Sequence, residues 1–150
     1  MPNALDLLKQ DHDKVRKLLA QLTDTTNQAE KTRQDLLAKI KQEMKIHTQL
    51  EEEIFYPAFK EADGQAHAQL YYEALEEHHI VEEVVIEDVE GSQTKSDAFA
   101  GRARVLREQI EHHASEEEKD IFAKARDVFS KDELEELGRR MEARKKELQG

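Results

Sequence analysis

HTQLEEEIFYP, from His47 to Pro57, and HASEEEKDIFA, from His113 to Ala123, align without a gap. Each sets a histidine four residues before a glutamate: His47 before Glu51, and His113 before Glu117. Four residues is one helical turn, so imidazole and carboxylate share a face. The offset of 66 that superposes the two stretches also carries His12 onto His78, Val15 onto Val81, Ile40 onto Leu106 and Met44 onto Ile110. The 35 residues from His12 to His47 recur from His78 to His113. The chain therefore reads as two copies of one helical hairpin. One difference stands out, since Ala123 replaces Pro57.

Outward from these stretches, apolar residues recur at steps of three and four, the buried stripe of an amphipathic helix. A first helix is expected from Asn3 to Leu22, with Leu5, Leu8, His12, Val15, Leu19 and Leu22 on its stripe. The second, Ala29 to Phe59, carries Leu37, Ile40, Met44, His47, Glu51, Ile54 and Ala58, and Pro57 is expected to kink or end it. The third, Ala66 to Glu90, carries Tyr71, Leu75, His78, Glu82, Val85 and Val89. The fourth, Ser96 to Phe129, carries Phe99, Ala103, Leu106, Ile110, His113, Glu117, Ile121 and Ala125. Ser130 to Glu133 forms a capping box that opens a further helix ending near Leu148. With short loops between them, these elements predict an all-α fold, an antiparallel up-down four-helix bundle over residues 3–129. A short C-terminal fifth helix over 131–148 completes a single domain, 1–150.

Composition removes many functions. Without cysteine there is no disulfide, iron–sulfur cluster, thiolate zinc site or cysteine nucleophile. Asp and Glu number 34 against 23 Lys and Arg, a formal net charge of -11. That balance argues against nucleic acid or an anionic membrane as partner. No apolar run reaches the ~20 residues of a membrane span, and MPNALDLLKQDHDK lacks a signal peptide's apolar core, so a cytoplasmic location is expected.

The residues that break the stripes carry the chemistry. Buried carboxylates are costly and persist when paired or bound to metal. Neighbours on a helix lie about 100° apart, so only one member of His78-His79 and of His112-His113 can face the core. Stripe and repeat both select His78 and His113, leaving His79 and His112 on the flanks and His67 at the surface. Nitrogen and carboxylate donors without thiolate suit iron, manganese or zinc, and several bridging-capable carboxylates suit a two-metal centre.

His12, His47-x-x-x-Glu51, His78 and His113-x-x-x-Glu117, with the tails EEEIFYP and EEEKDIF, resemble the hemerythrin-like, or HHE cation-binding, domain. The resemblance covers residues 3 to about 129. It implies two non-haem iron ions (Fe2+/Fe3+), bridged by carboxylate and by oxo or hydroxo. The ligands would be His12, His47, Glu51, His78, Glu82, His113 and Glu117. The small ligand would be dioxygen, hydrogen peroxide or nitric oxide.

Two positions depart from the family's oxygen carriers. Those have His-x-x-x-His on the third helix, where this chain has His78-x-x-x-Glu82. On the fourth they have His-x-x-x-x-Asp, where this chain has His113-x-x-x-Glu117. Glu82 would replace the fifth histidine, yet the repeat sets it opposite Arg16, and both readings of Glu82 stay open. An anionic oxygen donor favours the ferric state, which weighs against reversible oxygen carriage and towards chemistry with peroxide. A sensing or iron-homeostasis module acting through a protein partner, and an oxygen carrier, stand as alternatives. A peroxide-consuming side activity is left open. Tyr71, two turns before His78, is read as a packed core residue near the pocket.

Overall fold

Side-chain caps fix where three of the helices begin. Asn3 and Ser130 form reciprocal capping boxes with Asp6 and Glu133, and the Ser96 hydroxyl accepts from the Phe99 amide. The computed structural model describes residues 2–150. In it α1 spans Ala4–Thr23. Helix α2 runs over Glu30–Leu50, passes through a π-helical turn at Glu51–Phe55 and continues over Tyr56–Ala62. Helix α3 comprises Ala68–His79, a π-helical stretch at Ile80–Val85, and Ile86–Glu90. Helix α4 comprises Asp97–Glu116, a π turn at Glu117–Ile121, and Phe122–Val128. Helix α5 spans Lys131–Gln149 and, at 19 residues, nearly equals the 20 of α1.

The first four helices form the up-down bundle, and its interior is layered. One apolar cluster gathers Leu5, Leu8, Leu50, Phe55, Phe59 and Phe122 with others at one end. A second gathers Val15, Leu19, Ile40, Leu106, Ile110 and others at the opposite end. His12, His47, His78 and His113 are buried between them. Far from this layer, buried Arg33 ties the two loops at one end together. It donates to the Thr25 hydroxyl at 2.9 Å, the Thr94 carbonyl at 2.7 Å and Asn27 Oδ1 at 3.0 Å. Helix α5 lays Leu134, Leu137 and Met141 against α1 and α2. Gly138 permits the approach, because a Cβ there would stand 2.8 Å from the Pro2 carbonyl oxygen. Among the described residues, no helix is long and apolar enough to cross a membrane.

Pro57 neither ends α2 nor causes its irregularity. The helix runs on to Ala62, with Pro57 in the first turn after the π segment, where its missing N–H costs little. In that π turn the Tyr56 amide donates to the Glu51 carbonyl, five residues back. The Phe122 amide does the same to Glu117 in α4, where alanine replaces the proline. The feature common to both turns is the inward glutamate, and single π turns cluster at functional sites.

Each π turn shifts the buried face by about one residue, and this corrects two expected stripes. Past Glu51 the core takes Phe55, Tyr56 and Phe59 in place of Ala58, which is half-buried. On α3 the buried positions are Ala74, His78, Val81, Ile86 and Val89, whereas Tyr71, Leu75, Glu82 and Val85 are only partly covered.

Candidate metal centre

Four imidazoles and two carboxylates meet in the layer between the apolar clusters. His12 from α1, His47 and Glu51 from α2 and Glu117 from α4 have nitrogen and oxygen atoms all within 4.8 Å of one another. Glu51, His78 from α3 and His113 from α4 form a second such group. Glu51 belongs to both, with Oε1 3.2 Å from His47 Nε2 and 3.1 Å from His78 Nε2. Glu117 also spans the pair, with Oε1 3.1 Å from His12 Nε2 and Oε2 3.7 Å from His113 Nε2.

Every one of these rings is held from behind. His12 Nδ1 lies 2.7 Å from Glu118, His47 Nδ1 3.0 Å from Asp11, His78 Nδ1 2.8 Å from Glu52 and His113 Nδ1 2.6 Å from Glu77. An ionised carboxylate can only accept, so Nδ1 donates and, in the neutral ring, Nε2 presents its lone pair to the centre. The offset of 66 carries Asp11 onto Glu77 and Glu52 onto Glu118, so the supporting carboxylates repeat as the histidines do. Each also adjoins an inward residue in the chain and serves a ring on another helix. That adjacency is a usable signal in the sequence.

The repeat breaks one step further out. Asp11 also accepts from Lys145 of α5 at 2.6 Å, and Glu118 from Arg16 at 2.7 Å. Among the described residues neither Glu52 nor Glu77 pairs with a lysine or arginine. Burial pushes the Asp11 carboxyl up, but hydrogen bonds from His47 and Lys145 outweigh it and hold the group below its ordinary range. Burial likewise opposes charge on Glu51 and His47, yet their mutual attraction wins, keeping Glu51 well below and His47 well above their usual values. His78 is raised to about 9 against the same burial, by its contacts with Glu51 and Glu52.

Although these atoms lie close together, several of them make no hydrogen bond. His12 Nε2, His47 Nε2, both oxygens of Glu51 and Glu117 Oε1 are buried with no hydrogen-bond partner. Buried polar atoms are almost always satisfied, and five orphans converging at one point call for a ligand. The donor set is imidazole nitrogen and carboxylate oxygen, which fits a borderline or hard transition-metal ion.

Tyr56 is the site residue the sequence reading missed. It is fully buried, donates its hydroxyl to Glu117 Oε2 and lies 3.4 Å from His78 Nε2. Burial first, then Glu117 and Glu51, push its pKa well up. Five residues past Glu51, Tyr56 leaves the inward face of a regular α-helix, and only the π turn brings it back. Tyr71 packs edge-on against Tyr56, with ring centroids 5.8 Å apart, one layer outside the centre. Phe122 occupies the position related to Tyr56 and stacks on His12.

Glu82 is not brought into either group. The stretch Ile80–Val85 turns Val81 inward, and Glu82 remains half-buried, accepting a hydrogen bond from the Thr48 hydroxyl. His79 and His112 are exposed on the flanks, their side chains 54% and 61% accessible.

The model of the hemerythrin HHE cation binding domain matches residues 3–125. The chain belongs to that family. This HHE domain is also similar, at 27% identity and a TM-score of 0.87, to a solved HHE cation-binding domain-containing protein, the Rv2633c homolog from Mycobacterium kansasii. The match covers all of this chain and 89% of that one. A protein of a Nostoc species described as a DNA nickase is 26% identical over 147 residues. Those residues are 98% of this chain and 40% of that protein, so the HHE domain here spans well under half of it.

Proposed function

We propose that this HHE domain holds two non-haem iron ions and reacts with a small ligand, namely dioxygen, hydrogen peroxide or nitric oxide. The observation that carries the reading is the double role of Glu51, a buried carboxylate with both oxygens unpartnered and two histidine groups around it. One ion would be held by His12, His47, Glu51 and Glu117. The other would be held by His78, His113 and the same two carboxylates, with the Tyr56 hydroxyl within reach. Bound iron would supply one-electron redox chemistry and an open coordination position.

The chain's own residues set the conditions for that chemistry. Asp11, Glu52, Glu77 and Glu118 fix the four rings in the tautomer that binds metal. Tyr56 keeps a proton at Oη beside Glu117, available at the second position. The apolar layers on either side keep bulk water out. Two shared carboxylates make the surroundings anionic, which stabilises ferric over ferrous iron and argues against clean release of oxygen.

A second reading, a module that passes its metal or redox state to a partner protein, is favoured by one contact. Lys145 on α5 reaches Asp11, which holds His47. A net charge of -11 speaks against nucleic acid as that partner. Absorption spectra of the anaerobically reduced, iron-loaded protein before and after air, peroxide and nitric oxide test the first reading. New visible absorption that persists under vacuum supports it, and an unchanged spectrum with all three ligands contradicts it.

A further inference from the structure

The two related hairpins differ in what covers them. On the first, α5 packs over Ala4, Leu8, Leu50, Ile54 and Phe55, and Lys145 closes on Asp11. The offset of 66 turns Leu8 into Ala74, Leu50 into Glu116, Ile54 into Asp120 and Asp11 into Glu77. Where the first hairpin has packed apolar core under a helix, the second has a cavity of about 110 Å³ between α3 and α4. Glu73, Glu77, Glu116 and Asp120 line it, together with His113 and Glu117 of the metal centre.

We infer that this acidic cavity is the route by which divalent metal ions enter the centre, an inference that rests on the metal-centre reading above. Its size fits a partly hydrated ion, since a water occupies roughly 30 Å³ and about four would fill it. Four carboxylates around its mouth focus the field and raise the local concentration of cations. The cavity also ends on the centre itself. His113 and Glu117 are 6% and 1% exposed, and Glu117 keeps one oxygen without a partner. Glu77, His112 and Glu116 set ligand atoms within 4.8 Å of one another beside this mouth, where an ion can exchange water for carboxylate before moving inward. The related path through the first hairpin is closed by Leu8, Leu50, Ile54 and the helix above them.

The test is the rate at which metal-stripped protein takes up Co2+ anaerobically at low ionic strength, followed by its visible absorption. Replacing the mouth carboxylates in Glu73→Gln/Glu116→Gln/Asp120→Asn slows uptake about tenfold and weakens its dependence on salt, while the final stoichiometry stays that of the unaltered protein. Ala74→Leu, which restores the residue of the first hairpin, slows uptake by narrowing the mouth. Asp35→Asn/Glu87→Gln/Asp88→Asn removes the same charge elsewhere on the surface and leaves the rate unchanged. Equal rates in the two triple variants overturn the route, and so does a lower final stoichiometry in the first, which would make those carboxylates ligands. Failure of the unaltered protein to take up metal overturns the centre itself and the route with it.

Discussion

His47 Nδ1 lies 3.0 Å from Asp11 Oδ2, and 66 residues later His113 Nδ1 lies 2.6 Å from Glu77 Oε1. The bond runs between helices in both halves, so ring orientation depends on the packing of α1 on α2 and of α3 on α4. Removing the acceptor frees the ring to rotate and lowers its basicity. Asp11→Asn and Glu77→Gln are each expected to weaken metal binding about 10- to 100-fold while the bundle stays folded. Competition with a chromophoric chelator measures this.

Ligand choice within the doubled histidines is equally open to test. His78→Ala and His113→Ala are expected to lose metal, because their rings are buried against Glu51 and Glu117. His79→Ala and His112→Ala, at exposed positions, are expected to keep it. Glu82→Gln belongs with the second pair, since its partner is the Thr48 hydroxyl. Metal analysis of the purified variants separates the two groups.

The stripes of α1 and α4 and the repeat were enough to place four helices and to bring four histidines and two glutamates into one layer. Those residues lie before or at the π turns, where 3.6-residue periodicity still holds. Tyr56 and Glu82 lie within or just beyond a π turn, and one extra residue per turn moves the first inward and the second aside. No pattern of residue types marked those turns, because the α4 turn forms without the proline that α2 carries. The carboxylates behind the rings were visible as neighbours of the candidate ligands, but their targets sit on other helices.

Proton release gives a pH test. In the metal-free protein His78 is raised to about 9 from 6.5, with Glu51 and Glu52 outweighing burial, so its ring is charged near neutral pH. Metal at Nε2 must displace that proton. Binding should therefore strengthen as pH rises towards about 9 and release protons near neutrality. The same shift contributes to metal-free folding stability in full below the ordinary value of 6.5, a contribution lost as pH rises through about 9. Calorimetry in buffers of different ionisation enthalpy reports the protons released, and none released near neutrality would contradict the assignment of His78.

Gly138 tests the seat of α5. Gly138→Ala would place its Cβ 2.8 Å from the Pro2 carbonyl oxygen and 2.9 Å from the Asn3 carbonyl carbon, both main-chain atoms that cannot swing aside. A loss of about 1–3 kcal/mol and a lower melting temperature are expected. Thermal unfolding of the metal-free protein measures it.

The central claim is a two-metal centre shared across Glu51 and Glu117. Anomalous diffraction at the iron edge from crystals of iron-loaded protein tests it most directly. The account predicts two peaks per chain, one among His12, His47, Glu51 and Glu117 and the other beside His78 and His113. A single peak, or peaks outside this layer, would contradict it.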